Sequence, residues 1–333
     1  MMRYVVKRIL IMIPMLLAIS ALVFVIIHLP PGNFLSSQID ELLARGGKDA
    51  ADKVDILIKQ YVLDRPLYER YATWIWGIVT RFDFGDSFLY NLPVTDVIGE
   101  RIALTMVMEI TTIIFIWTVS FVIGVYAATH QYKPGDYIAS FLGFIGLATP
   151  NFLLALVLLY LAKVWFGVSV GGLMDPEYTD APWTWGKIES ILSHLIIPVV
   201  VIGTSGTAGM IRRLRANLLD ELQKQYVVTG RAKGLPPMKL LIKYPLRHAI
   251  NPFVADIGHV LPEVISGSVI VSVVLSLPTT GPMLLESLKT QDSFLAATFL
   301  LFVATLTVIG TLISDLLLAM LDPRIRLSGK VEK

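Results

Sequence analysis

Six apolar runs, each long enough to cross a membrane, are the feature that most limits what this chain can fold into. A transmembrane helix needs about 20 largely apolar residues. Six segments have that length: Ile9–His28, Ala103–Thr129, Tyr137–Trp165, Ile191–Ile211, Pro252–Leu277 and Phe294–Leu321. Only 16% of the 333 residues are charged, whereas a soluble domain carries roughly 25%. The sequence therefore predicts an all-α polytopic membrane protein with six transmembrane helices.

The first apolar run could also be a cleaved secretory signal, because Arg3, Lys7 and Arg8 precede it. The run is long for a signal peptide, however. Its small-residue cleavage pattern, Ala18-Ile19-Ser20, also lies inside the run rather than after it. We therefore interpret residues 1–28 as an uncleaved anchor helix.

The basic residues are segregated along the chain, and this sets the predicted orientation. Cytoplasmic loops carry an excess of Lys and Arg. The bases lie at the two ends, in the short 131–136 loop and in the loop after the fourth run, whereas the 166–190 loop leans acidic. The rule therefore places both termini in the cytoplasm, as an even number of spans requires.

The long segment 29–100 would then lie outside the cytoplasm, between the first and second helices. Aromatic residues run through it, among them Tyr61, Tyr68, Tyr71, Trp74, Trp76, Phe82 and Phe84. We expect a small ordered extracytoplasmic subdomain that lies partly on the membrane interface, since Trp and Tyr favour the headgroup level. The rest of the chain divides into a core transmembrane domain at 101–321 and a cytoplasmic tail at 322–333.

The most distinctive stretch is a basic, glycine-centred segment over residues 212–251, with nine Lys or Arg against two acids. Helix formers lie on both sides of a Gly-Leu-Pro-Pro break. The pattern predicts two short helices, Tyr226–Lys233 and Pro237–Lys243, joined at Gly234, where a positive φ is free only for glycine. Such a pair is suited to docking into a partner protein. The plainer interpretation is that the bases enforce topology and bind anionic lipid.

Several function classes find no support in the residues. The chain has no cysteine, which excludes disulfides, iron–sulfur clusters and thiolate zinc sites. Its five histidines show no metal-ligand spacing, and the sequence has no Walker A motif, dinucleotide fingerprint or GxSxG. The chain is therefore not predicted to be an enzyme. If ATP powers it, another chain must bind the ATP.

Short motifs spread over nearly the whole chain keep one order and spacing. They are Arg3-Tyr4, Pro30-Pro31-Gly32, Leu63-Asp64-Arg65-Pro66-Leu67, Phe82-Asp83-Phe84-Gly85-Asp86-Ser87, the stretch from Tyr226 to Leu235, Leu246-Arg247-His248-Ala249, and Asp322-Pro323-Arg324-Ile325-Arg326. Taken together they resemble the permease subunits of ATP-binding-cassette importers of the dipeptide, oligopeptide and nickel type.

The resemblance implies an import system of five parts in the cytoplasmic (inner) membrane of a prokaryote. Two permeases, two cytoplasmic ATPase subunits and an external substrate-binding protein make up the system. This chain would be one permease, paired with a related one and surrounded by lipid, with no nucleic acid among its partners. It would bind no cofactor, since ATP and Mg belong to the ATPase subunits. Peptides are the default substrate, with oligosaccharides and nickel chelates left open.

The resemblance also implies a coupling loop over residues 214–248 that contacts the ATPase. The residues carried over to this role are Tyr226, Thr229, Gly230, Arg231, Ala232, Lys233, Gly234, Leu235, Leu246 and Arg247. Gly230 stands where the family usually has alanine. That departure should loosen the first coupling helix by up to about 1 kcal/mol.

A translocation path is suggested by polar residues inside the spans. Asp256, His259 and Glu263 lie at i, i+3 and i+7, on one face of the fifth helix. They are predicted to line the path or to pair with a neighbouring helix. Thr204 and Ser205 belong to a small-residue stretch suited to close helix packing and add hydroxyls to the path. For Glu109, Lys163 and Asp315, structural pairing and path lining both stay open.

Two rival classes are weighed against the importer. A secondary transporter or channel without ATPase partners would show inverted repeats or broken helices with internal charges, and the chain has no convincing internal symmetry. An intramembrane enzyme would need a nucleophile and a base on facing helices. Only His194, His259 and scattered serines are available for those roles.

Overall fold

The computed structural model is largely helical and describes residues 2–29, 39, 43–44, 65–166, 171–179, 181–255 and 257–321. The elements, in chain order, are α1 Met2–His28, α2 Leu67–Arg81, β1 Asp86–Ser87, β2 Leu92–Pro93, α3 Val94–Thr129, α4 Pro134–Ala148, α5 Asn151–Phe166, a 3-10 turn Pro176–Tyr178, α6 Trp185–Leu222, α7 Gln225–Ala232, α8 Pro237–Lys243, α9 Pro245–Ala249, α10 Asn251–Ala255, α11 Ile257–Val274, α12 Thr280–Lys289 and α13 Ser293–Leu321.

Among the described residues, four helices are long and apolar enough to cross a membrane: α1, α3, α6 and α13. They contain the first, second, fourth and sixth runs read from the sequence, and those four predictions are confirmed at the level of length and composition. All four helices extend beyond the predicted runs: α1 begins at Met2, α3 at Val94 and α13 at Ser293, and α6 runs from Trp185 to Leu222. The helical signal in these segments therefore continues beyond the apolar core of each run.

The third predicted span is broken. Helices α4 and α5 are bent by 104° at the Thr149-Pro150 junction, so the prediction of one straight helix over Tyr137–Trp165 is wrong. Proline has no N–H to continue the helical ladder, and it pushes the preceding residue out of the helical region. Thr149 accordingly has φ −85° and ψ 121°. Together α4 and α5 form either one broken span or a re-entrant loop that does not cross the membrane. The described residues therefore contain five spans in the first case and four in the second.

The fifth predicted span, Pro252–Leu277, falls on two helices, α10 and α11, and Asp256 between them lies outside the described residues. Helix α11 ends at Val274, and Ser276 follows with φ +53°. The apolar part described within α11, Glu263–Val274, is shorter than a full span.

The chain divides into two compact units, and helix α6 is the centre of the first (residues 1–9, 106–278 and 306–333). It packs against α4, α5, α9 and α11. Two glycines of α6 also make room for side chains of α3. A Cβ at Gly203 would lie 2.6 Å from Phe115 Cδ1, and one at Gly206 would lie 2.9 Å from Ile116 Cδ1.

The second unit comprises residues 10–105 and 279–305. One apolar cluster joins Val23 and Phe24 of α1, Trp74 of α2 and Ala297 of α13. A short antiparallel hairpin, β1–β2, follows α2. It is fixed by Asp292, whose fully buried carboxylate accepts hydrogen bonds from Ser87 Oγ at 2.6 Å and from the Leu89 N–H at 3.1 Å.

Candidate coupling surface and translocation path

Helix α7 ends in a motif that requires glycine at position 234. Gly234 has φ +77°. The Leu235 N–H donates to the Gly230 carbonyl at 3.2 Å, and the Gly234 N–H donates to the Arg231 carbonyl at 2.9 Å. These two bonds define a Schellman C-cap with glycine at the left-handed position. The predictions of two short helices and of a positive φ at Gly234 are confirmed.

Helix α8 begins directly after Pro236 and lies against α7. Its Leu240 is buried at 4% exposure and covers Gly230, where an added Cβ would overlap the Leu240 Cδ1 atom. The missing side chain at Gly230 thus makes room for the second helix. The expected cost in helix propensity is accompanied by a packing contact that the sequence did not reveal.

Several of the predicted coupling residues face inward and anchor the two helices. Leu246 is buried, as is Val227 of α7. The Tyr226 hydroxyl donates to the Glu221 carboxylate, and its ring lies 5.9 Å from the His248 ring. Tyr226 and Leu246 therefore hold α7 and α9 in place within the chain, and Leu235 is half-buried beside Gly230.

The outward side of α7 and α8 is apolar and basic. Val228, Met238 and Ile242 are 52%, 66% and 59% exposed. The exposed residues around them include five bases and two small residues: Arg231, Lys233, Lys239, Lys243, Arg247, Thr229 and Ala232. We call Val228, Met238 and Ile242, with Arg231, Lys233, Lys239 and Lys243, the docking surface.

Three of the nine bases assigned to the loop belong instead to α6, which continues to Leu222. The loop therefore does not begin at Arg212. Arg215 forms a bidentate ion pair with Asp136 at the start of α4, with Nε–Oδ1 and Nη2–Oδ2 distances of 2.7 Å. Asp136 is 2% exposed and also accepts the Tyr132 N–H at 3.0 Å. This pair ties the C-terminal extension of α6 to α4.

Thr204 and Ser205 lie on the face of α6 that packs against α4 and α5. The Thr204 Cγ2 atom is 2.6 Å from where a Cβ of Gly146 would be. Ser205 Oγ donates to the Ile202 carbonyl and accepts from Asn151 Nδ2 at 3.4 Å. Both residues are half-buried, so they fill the inside of the α4–α5 bend.

The three candidates on the fifth predicted span are not seen together. Asp256 lies outside the described residues, and the side chain of His259 in α11 is also outside them. Glu263 is exposed on α11.

The three charged residues left open between pairing and path fall into different settings. Glu109 is 2% exposed, and its Oε1 accepts a 2.7 Å hydrogen bond from Ser268 of α11. Asp315 pairs with Arg8 at 3.0 Å. Lys163 is exposed on α5. Glu109 and Asp315 thus connect neighbouring helices.

Two family models match the chain. The model for the inner membrane component of binding-protein-dependent transport systems matches residues 120–327, which is more than half of the chain. The model for the N-terminal part of the membrane component of such systems matches residues 1–111.

The chain belongs to this family.

Curated relatives align over nearly the whole length of this permease. It is 32% identical over 326 residues to the oligopeptide transport system permease protein AppB of Bacillus subtilis, covering 97% of this chain and 98% of the relative. It is 28% identical over 342 residues to the dipeptide transport system permease protein DppB of Escherichia coli, covering 98% and 99%. The OppB oligopeptide permease of Mycobacterium tuberculosis is 29% identical over 297 residues, covering 88% and 90%.

Family membership decides between the classes weighed from the sequence. The chain is a multi-pass permease subunit of the inner membrane, and it is a transport subunit rather than an enzyme. The broken α4–α5 pair, a feature also typical of secondary transporters, has no charged residue at the break, where the sequence reads Ala-Thr-Pro-Asn.

Sequence reasoning missed the apolar part of this permease's docking surface. The residues predicted for the coupling role do not include Val228, Met238 or Ile242. A signal was present, because Met238 and Ile242 are spaced i, i+4 and bracket the buried Leu240. A seven-residue helix that is apolar on both sides has more apolar surface than its own fold can cover.

Proposed function

We propose that this permease forms the membrane path for peptides that an external binding protein delivers, and that two cytoplasmic ATPase subunits drive it by seating on α7 and α8. A second, related permease completes the path. The observation that carries this proposal is the docking surface: three exposed apolar side chains and four bases on two short helices joined at a glycine with φ +77°.

The predicted arrangement has six spans with both termini in the cytoplasm. The broken α4–α5 pair supplies the third span and α10–α11 the fifth. Residues 29–100 lie outside, and the loop with the docking surface lies in the cytoplasm, where the excess of Lys and Arg places it. The ATPases carry the ATP and Mg, and this chain binds no cofactor.

Peptide is the proposed substrate class because the relatives that align from end to end are peptide permeases by name. The chemistry of the path is consistent with a polar substrate. Glu263 is exposed on α11 of the isolated chain, although a lipid-facing carboxylate inside a span is costly, at roughly 2.5–3.5 kcal/mol on insertion scales. We place Glu263 toward the water-filled path between the two permeases.

On this proposal, coupling requires that α7 and α8 are attached firmly on two sides, to the rest of this chain and to the ATPase. The inward side is held by Leu240 against Gly230 and by Tyr226 through its hydrogen bond to Glu221. The outward side is free to fill an ATPase groove. Moving the permease from 1:99 to 99:1 between its inward-open and outward-open states takes about 5.5 kcal/mol of differential binding. Nucleotide-dependent docking at two such surfaces can supply that.

The decisive experiment replaces the exposed apolar residues by charge. Ile242→Asp and Met238→Asp should each abolish co-purification of the ATPase subunits, because a carboxylate would be desolvated in the groove. Leu288→Asp is the matched control, since Leu288 is similarly exposed (51%) near the end of helix α12. Membrane abundance should be unchanged in all three. Full ATPase co-purification with Ile242→Asp and Met238→Asp would refute the docking assignment.

The path assignment of Glu263 has its own measurement. Glu263→Gln keeps size and hydrogen bonding and removes the charge. Membrane abundance should stay near normal, while uptake of charged peptides changes more than uptake of neutral ones. If the variant is instead poorly inserted and retains normal uptake per molecule, Glu263 belongs to a buried ion pair and not to the path.

A further inference from the structure

Helix α2, which follows the first span, is divided lengthwise into three arcs. One arc, with Tyr71, Trp74, Ile75 and Ile78, packs on α1 and α13. The adjoining arc carries Tyr68, Ala72, Trp76 and Val79, which recur at i, i+4, i+8 and i+11 and therefore lie on one face. The remaining arc is polar and contains Glu69, Arg70, Thr73, Thr80 and Arg81.

The middle arc is apolar, and within the part of the chain that the structure describes its side chains are exposed. Tyr68 is 70% exposed, Trp76 68% and Val79 70%, and Phe82, which directly follows the helix, is 76% exposed. Scattered exposed apolar residues are ordinary on protein surfaces. Four large ones within 15 residues, three of them on one face, form a patch of the kind that marks an interaction site.

The level of α2 is fixed by its contacts with the membrane span α1. The Tyr71 hydroxyl bonds Ser20 Oγ at 2.8 Å and the Leu17 carbonyl at 3.1 Å. Leu17 precedes the end of α1 at His28 by eleven residues, or about 16 Å along the helix axis. The Trp74 ring also lies 5.4 Å from that of Phe24. The Tyr71 and Trp74 rings both contact Phe24, which precedes the end of α1 by four residues, or about 6 Å along the axis. Helix α2 thus packs on the last turns of α1, and the Tyr71 hydroxyl extends from there toward the middle of that helix.

The polar arc identifies the side that faces water. Arg70, Thr73 and Arg81 border an open cavity of about 200 Å³ together with Asp83 and Asp86 of the following loop. Charged groups line one side of α2 while the aromatic and aliphatic groups occupy another. A helix segregated in this way is suited to a boundary between lipid and water.

We propose that α2 is an interfacial helix whose Tyr68, Trp76, Val79 and Phe82 are inserted into the headgroup layer of the bilayer. The partner of this face is therefore lipid. Three observations favour lipid as the partner of this arc. The arc adjoins the face that packs on the span α1, and α2 lies against the last turns of that span. The arc is also rich in Tyr and Trp, which favour the headgroup level. The inference rests on α1 spanning the membrane and is independent of how the ATPase docks.

The experiment uses the native absence of cysteine. Val79→Cys and Thr80→Cys are neighbours on the same turn, both exposed, one on the apolar arc and one on the polar arc. Each is spin-labelled in the permease complex reconstituted into nanodiscs of phosphatidylethanolamine and phosphatidylglycerol. Accessibility is measured to oxygen, which concentrates in lipid, and to a water-soluble chromium complex. Trp76→Cys and Thr73→Cys form a second matched pair.

The expected ratio of oxygen to chromium accessibility is severalfold higher at 79 than at 80, and likewise higher at 76 than at 73. High chromium accessibility at both members of each pair would mean that the arc faces water and would overturn the proposal. Low accessibility to both reagents at 76 and 79 would assign the arc to another subunit. Protection that appears only when the external binding protein is added would assign it to that protein. Both of the last two results also overturn the proposal.

Discussion

Helix α2 and the docking surface on α7–α8 both expose large apolar side chains beside charged ones, but they arrange them differently. On α2 the apolar residues Tyr68, Trp76 and Val79 occupy one arc, and the charges occupy another. On α8 the exposed apolar residues Met238 and Ile242 are one turn apart and share a face, and Lys239 and Lys243 share the face beside it. The difference is therefore one of extent: the apolar arc of α2 runs along most of the helix, whereas that of α8 covers one turn and is bordered by bases. A long apolar arc matches a flat boundary between two solvents, whereas a short apolar patch with a charged border matches a protein interface with an apolar centre and a polar rim.

The largest effect is expected from a substitution that changes the geometry of the docking surface and leaves helix α2 unchanged. Gly234→Val should abolish uptake while the permease stays in the membrane. No atom lies within 4 Å of a Cβ at Gly234, so the cost is the positive φ, about 1–3 kcal/mol of backbone strain, which would redirect α8. Uptake in membrane vesicles and ATPase co-purification measure the outcome.

Gly99→Val is the control for that substitution. Gly99 also has no neighbour within 4 Å of its Cβ, and its φ is not positive. It should retain uptake, and the α2 spin labels should report the same lipid contact in both variants. If the Gly234→Val variant retains full uptake and ATPase binding, the positive φ at Gly234 is not needed for coupling.

A second prediction concerns the ion pair between Arg215 of α6 and Asp136 of α4. Arg215→Leu leaves the Asp136 carboxylate, 2% exposed, without its bidentate partner. Removing one member of a buried pair costs about 3–5 kcal/mol, and the 26% exposure of Arg215 puts this pair toward the lower end. Membrane abundance should fall severalfold, and uptake should fall further.

The exchange Asp136→Arg with Arg215→Asp restores the charge balance and should recover part of the abundance. Abundance equal to native in Arg215→Leu would show that the pair does not hold α4 to α6. Neither substitution should alter the accessibility of labels on α2, because Asp136 and Arg215 both lie in the first compact unit.

The smallest effect is expected from substitutions of single bases, and the dependence of ATPase affinity on salt distinguishes the docking surface from helix α2. Arg231→Gln and Lys233→Gln should each lower ATPase affinity a few-fold at low ionic strength, since an exposed ion pair contributes about 0.2–1 kcal/mol. The difference from native should shrink as the Debye length falls to about 3 Å at 1 M salt. Arg81→Gln, on the polar arc of α2, is the matched control and should leave ATPase affinity unchanged. A salt-independent loss in the first two variants would argue against docking through their charges.

The features that could be predicted from the sequence are those that depend on neighbouring residues in the chain. The left-handed φ at Gly234 follows from a glycine between helix formers and a Pro-Pro step, and the four long spans follow from apolar length. The 104° bend between α4 and α5 was missed, although Pro150 is visible. Long apolar stretches lie on both sides of the Ala-Thr-Pro-Asn break, and the length of an apolar run does not show that proline lacks the N–H that a continuous helix needs.

Long-range partners explain the other differences. Arg212, Arg213 and Arg215 were read as loop residues because they are charged. The helix continues through them, and Arg215 finds its partner 79 positions away in the chain. Gly230 likewise depends on Leu240 across the turn. Neither contact has a local signature, and the sequence-based path residues Thr204 and Ser205 face a bend that was not predicted.

The 38-residue helix α6 has a mechanical consequence. It contains Pro198 and ends at Leu222, shortly before α7 begins at Gln225. The stretch from Pro198 to Leu222 is about 36 Å long at 1.5 Å per residue, and a proline within a helix is where bending concentrates. By the same arithmetic, a rotation of about 5° at Pro198 carries Leu222 through about 3 Å. A small change of angle at Pro198 therefore displaces the Leu222 end of the helix by a distance as large as a side-chain contact, while the length of helix between the two residues stays the same.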